Sequence, residues 1–289
     1  MPWRAQRRRD DQIEKRMPTE ESNRYSRVYL SVSHLKNASH FARLTGEIEQ
    51  HTEFVWGTIK PHEAYAMGAV LSNVAFLEAS VNELYADTTD DSAPSEILRS
   101  IGTGYAMEMP KDVRSILACL WTTERFRTAR TLEKFQVALK AVGQEQFDKG
   151  SQPYQDVALL IRLRNALVHF EPESLHGGND VPTDLERKLG GKFALNPLAA
   201  DPINPLGKDP LLPFLPAKCL GYGCALWALR SSVAFTEDFF SRMGVKAFHG
   251  GWLVDMAVDY ASMRPLKEIA AKYGAKAEHI VEHAADPDP

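Results

Sequence analysis

Apolar residues in this chain recur at three- and four-residue spacing, the period of an amphipathic helix, and no segment shows strand-like alternation. The clearest stripe is Met67, Val70, Val74, Leu77, Val81 and Leu84, which predicts a long helix ending near Asp87 with Pro61 at its first position. A helix over 25–50 precedes it, and Asp90, Asp91, Ser92 and Pro94 mark the loop that follows. Shorter helices fit 113–121 and 132–142. Pro153 opens the next, whose wide apolar face is Val157, Leu160, Ile161, Leu163, Leu167 and Val168. Pro172 biases Glu171 away from helical angles, so this helix should end near Phe170.

Between Pro172 and Pro216 lie eight of the chain's seventeen prolines, together with Gly177, Gly178, Gly190, Gly191 and Gly207. This predicts a long irregular connection with one short helix at 184–189. A last long helix, 217–243, runs up to a C-capping Gly244. The expectation is an all-α fold: a charged, disordered tail over 1–22, a helical bundle over 23–243 with a long Pro/Gly-rich loop, and a small C-terminal helical extension over 244–289.

Composition narrows the function classes. Hydrophobic residues are 44% of 289 and charged residues 25%, enough for a core without disulfides or a structural metal. Cys119, Cys219 and Cys224 are too scattered for a disulfide framework or a zinc cage and read as core residues in a reducing compartment. Residues 1–24 hold arginines and acids but no apolar segment, and the longest apolar run is read as about 219–229, short of a membrane span. A cytoplasmic location with no membrane partner is the expectation. The net charge of −4 argues against a large nucleic-acid footprint. Local positive charge exists at Arg125, Arg127, Arg130 and Lys134, a candidate RNA-binding stretch, and at Arg4, Arg7, Arg8 and Arg9. Either cluster also reads as solvated surface or tail.

The segment from Leu160 to Phe170 carries the chemistry: Arg164 followed by Asn165, with His169 near the end of the predicted helix. This resembles the signature of the HEPN superfamily, an arginine usually followed by a polar residue with a histidine a few positions later. The upstream run Phe76 to Tyr85 is similar to the long helix that many members place before the signature helix. The resemblance covers about 60–242. It implies a HEPN-like helical bundle and a metal-independent endoribonuclease, of the toxin or defence-effector kind, with an antitoxin or defence partner. It implies that two signature helices meet across a homodimer axis, with Arg164 and His169 of both copies lining one cleft and Asn165 among the catalytic residues, and that cleavage leaves a 2′,3′-cyclic phosphate. No cofactor or metal enters this scheme.

The residue types suit that chemistry independently. Cleaving RNA without metal needs a base for the ribose 2′-hydroxyl, a cation for the phosphorane and an acid for the leaving oxygen. Histidine serves as acid or base near neutrality, and a helix C-terminus favours its protonated form. Arginine grips phosphate bidentately. Asn165 is read as orienting either group or contacting phosphate. On a helix, Asn165 and His169 share a face with Arg162 one turn earlier, whereas Arg164 lies roughly 140° from His169. Glu78 is expected to be half-buried and to pair with Arg162 or Arg164 behind the site. Competing readings are a helix cap for His169, a salt bridge from Arg164 to Glu78 or Glu83, and an interhelical hydrogen bond for Asn165.

Two rival functions compete with this one: a non-catalytic HEPN-like interaction or RNA-binding module, and a DNA-binding regulator. The second rests on 265–284, where Ile269, Ala270, Tyr273, Gly274, Ala275 and Ile280 fit a helix-turn-helix pattern, although Glu278 and Glu282 suit a phosphate-lined groove poorly. His279, Glu282 and His283 spell an inverted zinc-peptidase pattern, but such enzymes need a further ligand well downstream. Gly102 with Gly104 and Gly221 with Gly223 lack a preceding strand, so neither reads as a nucleotide loop.

Overall fold

The computed structural model describes residues 28–51, 56–89, 109–171, 182–199, 213–247 and 251–274. Every regular element among them is helical. In chain order these are α1 (Leu30–His51), α2 (Trp56–Thr88), α3 (Lys111–Thr122), α4 (Glu124–Arg127), α5 (Thr131–Ala141), α6 (Tyr154–Val168) and α7 (Asp184–Leu189). A wide turn over Phe214–Lys218 leads to α8 (Tyr222–Met243), then α9 (Trp252–Ala261) and a last helix, α10, over 266–274. The tail over 1–22, the paired glycines at 102 and 104, and the residues from 275 onward, including His279, Glu282 and His283, lie outside the described residues.

The α2 stripe is buried as its period requires: Val70, Val74, Leu77, Val81 and Leu84 are closed to solvent. The helix begins at Trp56, however, so Pro61 lies inside it rather than at its first position. The pyrrolidine ring removes the N–H that would reach back one turn, a loss more easily borne close to a helix start than at its centre. Residues Pro61–Thr88 of α2 also form the one described helix that is long and apolar enough to cross a membrane by length and composition. The run at 219–229 is longer without interruption, but α2 is the more apolar over the length of a span. Ser72, Asn73 and Ser80 interrupt the α2 sequence without making it polar, which hides its extent. In the bundle, α2 is packed between α1 and α8.

Two apolar clusters result, because α2 and α8 are each buried on more than one side. The larger joins Val74, Leu77 and Leu84 of α2 to Leu117 of α3, Phe135 and Leu139 of α5, Leu160 and Leu163 of α6, and Phe235 and Phe239 of α8. The smaller joins Leu35, Ala38 and Ala42 of α1 to Phe76 of α2, Leu229 of α8, and Val254, Ala257 and Ala261 of α9. Polar ties cross between these layers. Ser232 donates to Asn73 Oδ1 at 2.7 Å, while Asn73 donates to the Ala69 carbonyl at 2.8 Å, so both buried groups are satisfied. Glu49 Oε1 lies 2.8 Å from His62 Nε2 and accepts the Tyr222 N–H at 2.6 Å, which places a carboxylate at the start of α8.

Helix α8 starts at Tyr222 rather than at 217 because Gly221 is extended and the chain turns there. The loop through Asn196 crosses this point closely: a Cβ on Gly221 would sit 2.8 Å from Asn196 Cα. Asn196 locks the crossing, with its backbone N–H donating to the Lys218 carbonyl and its side chain to the Ala217 carbonyl, each at 2.9 Å. This explains Gly221, and Gly223 is required in the same way by the Ala194 backbone, which a Cβ there would strike. At the other end, Gly244 caps α8 in the left-handed region, with φ 67° and ψ 24°. Gly244→Ala should therefore cost about 1 kcal/mol, read as a lower urea midpoint with an unchanged slope.

Candidate functional site

Helix α6 positions the candidate residues. Val157, Leu160 and Leu163 lock one side of it into the larger cluster, leaving the opposite side in solvent. Thr183 caps α7 by accepting the Glu186 N–H at 3.1 Å, and α7 packs against α6. Helix α6 ends where the sequence predicts: Val168 is its last residue and His169 its cap, with φ −109° and ψ 42°. The His169 N–H donates to the Asn165 carbonyl at 2.9 Å.

Asn165 and His169 are exposed, and Arg164 is half-buried. Among the described residues, no hydrogen bond or ion pair engages the side chains of these three. Arg164 thus has no salt bridge to Glu78 or Glu83 there. The angular relation is the one a regular helix dictates: His169 follows Arg162 by seven residues and lies ~20° from it in projection, while Arg164 lies ~140° from His169. One chain therefore splays its arginine and histidine instead of converging them. Val168 and Phe170 flank His169 with 53% and 49% of their surfaces exposed. Val168 lies on the wide apolar face that the sequence predicts but outside the buried core.

Arg162 and Glu78 do not meet as expected. Arg162 donates to Asp184 Oδ2 of α7 at 2.9 Å. Lys188 reaches the same oxygen at 2.9 Å, and these two hydrogen bonds, that of Lys188 first, hold the Asp184 carboxyl below the usual carboxylate range. Glu78 is exposed, and its charge acts on Lys134.

Lys134 is the largest departure from the sequence reading. Expected on a basic surface with Arg125, Arg127 and Arg130, it is instead 1% exposed. Its ammonium donates to Asn82 Oδ1 at 2.9 Å and to the Arg127 carbonyl at 2.6 Å, and it lies 5.6 Å from the centre of the Trp121 ring. Burial pulls its pKa down, and the Glu78 carboxylate offsets part of that pull. A cation so enclosed ties α5 to α2 and α4 and presents nothing to a phosphate. Arg125, Arg127 and Arg130 remain exposed around α4, which packs on α3.

The structure instead gathers a basic group that sequence reasoning missed. An open cleft of about 300 Å³ is lined by Lys149, Gln155, Ala158, Leu159, Arg162, Lys188 and Lys192. The α6 members fall at 155, 158, 159 and 162, one helical face, which is the only trace the sequence carries. Lys149, Lys188 and Lys192 arrive from the preceding turn and from beyond the loop. Asp184 and Asp156 stand behind the cations they pair with, Lys192 reaching Asp156 at 2.7 Å. Among the described residues, no group of three or more histidine, cysteine or carboxylate side chains is arranged to hold a metal. No family model, curated protein or solved structure matches the chain.

Proposed function

We propose that this protein is a HEPN-type, metal-independent endoribonuclease whose active site is composed at a homodimer axis from Arg164, Asn165 and His169 of two copies. The observation that carries the reading is that these three side chains, Asn165 and His169 exposed and Arg164 half-buried, have no hydrogen-bond or ion-pair partner among the described residues, near the end of a helix otherwise locked into the core.

In this reaction one His169 takes the proton of the ribose 2′-hydroxyl, and the oxygen attacks the adjacent phosphorus. The bond from phosphorus to the 5′-oxygen breaks, and His169 of the second copy returns a proton to that oxygen. The products are a 2′,3′-cyclic phosphate and a 5′-hydroxyl. Arg164 holds the non-bridging oxygens as negative charge builds on them. Asn165, one turn before His169, orients the imidazole or the phosphate. The ~140° splay between Arg164 and His169 supports a composite site, since a two-fold axis supplies a second acid–base group and a second cation from the same sequence.

The test is cleavage of a single-stranded RNA in excess EDTA, with end-group analysis of the fragments. Undiminished cleavage yielding cyclic phosphate ends is the expected result. Inhibition restored by added zinc or magnesium would sink the metal-free scheme. For the dimer, Phe170→Asp should give a folded, inactive monomer by light scattering, because its ring is half-exposed beside His169. Full activity per chain in a monomeric sample would refute the composite site.

A further inference from the structure

The cleft beside α7 lies on the same face of α6 as Asn165 and His169. Gln155, Ala158, Leu159 and Arg162 line it from α6. The same helical face runs on through Asn165 to His169. Seven residues of helix separate Arg162 from His169, a rise of ~10 Å. That distance is short enough for one strand to reach from Arg162 to His169 within a few nucleotides.

The charge balance inside the cleft favours an anion. Four of its lining residues are cationic, Lys149, Arg162, Lys188 and Lys192, and none is a carboxylate. Asp184 accepts from both Arg162 and Lys188, and Arg187 lies 3.9 Å away, so one negative charge is shared among three positive ones. Asp156 is engaged by Lys192 alone. Lys149 is exposed and has no side-chain partner among the described residues. Asp148 and Glu186 lie close in sequence, but Asp148 spends one oxygen on the Gly150 N–H at 2.8 Å, and neither lines the cleft. At about 300 Å³ with an apolar floor of Ala158 and Leu159, the cleft is at the small end of ligand sites and suits a backbone segment better than a stacked base.

We propose that this cleft binds the phosphodiester backbone of single-stranded RNA within a few nucleotides of the scissile bond, so that the substrate lies along α6. The assignment rests on the ribonuclease reading for its polarity towards His169. It makes the cleft, rather than the arginines around α4, the anchor that sets where the strand enters. Phosphate contacts of this kind fix position without reading sequence.

The experiment uses the full chain carrying His169→Ala, so that binding is read without cleavage. The probe is a fluorescein-labelled oligouridylate long enough to span both places, followed by anisotropy between ~50 and ~200 mM salt. Adding Lys149→Glu and Lys188→Glu should weaken binding at least tenfold and reduce the salt slope by about 1 for each phosphate no longer neutralised. Lys188→Arg should bind like the parent. Both lysines are exposed, so the melting curves should coincide, and Lys149→Glu alone serves if the double variant does not fold. Unchanged affinity and slope, or a parent protein that does not bind the probe, would overturn the proposal. An equal loss on duplex DNA would also overturn it, leaving only a general polyanion surface. Cleavage is assayed separately with His169 intact. RNA that is bound through the cleft but never cut would remove the ribonuclease reading and leave the cleft standing. RNA that is cut normally by the cleft variants would do the reverse.

Discussion

His169→Ala should lower RNA cleavage by ~10²–10⁴-fold, the usual contribution of a positioned acid or base, while the thermal melt hardly moves. The structural reason is that His169 is exposed and closes the end of α6 through its backbone N–H, which alanine retains. Arg164→Ala should cost ~10²–10³-fold in its own right, as expected for the removal of a charge-stabilising donor. Because the two residues act on one phosphodiester, the double variant should be little worse than His169→Ala alone. A rate assay on each variant beside its melting curve decides the matter. Parallel loss of activity and of folding would mean that these side chains serve the fold instead.

Phe135→Ala should be the most damaging single change in the core, at about 3–5 kcal/mol. Phe135 is fully closed to solvent and sits edge-on between Phe235 at 4.9 Å and Phe239 at 4.6 Å, with ring planes near perpendicular in both pairs. Removing it leaves a void between α5 and α8 and breaks both edge-to-face pairs at once. Chemical denaturation should show the midpoint falling sharply. Phe135→Leu, which refills much of the space, should recover a good part of the loss, and equal damage from both variants would argue that ring geometry outweighs volume.

What is legible in the sequence follows from which forces are local. The α2 stripe, the end of α6 before Pro172, the short helix at 184–189 and the cap at Gly244 all depend on residues within a few positions of one another. Each can be read to within a residue or two. The start of α2 cannot, because Pro61 is a strong local stop that the surrounding helix overrides. Lys134 misleads for a different reason. Its neighbours Arg125, Arg127 and Arg130 suggest a basic surface, but its ammonium is satisfied by Asn82, 52 positions away, and by a backbone carbonyl that has no sequence signature. Arg162 likewise finds Asp184 across the Pro/Gly-rich connection, and that return is also what closes the basic cleft. Arg164, Asn165 and His169 can be picked out as a spacing, but their freedom from local partners is a property of the folded bundle alone.

The pairing of α1 with α9 bears on how the protein is made. Leu35, Ala38 and Ala42 of α1 are covered by Val254, Ala257 and Ala261, and Arg43 stacks 4.7 Å from the centre of the Tyr260 ring while donating to the Tyr260 carbonyl at 3.2 Å. On the ribosome, α1 is complete some 200 residues before α9 begins. At ~5–20 residues per second, its apolar face waits roughly 10–40 s for its cover. The α2, α3, α5 and α6 layers can assemble in that interval, but the smaller core cannot close. A nascent chain stalled before Trp252 should therefore present an uncovered alanine-rich groove to chaperones, and an α9 peptide supplied in trans should be its natural competitor.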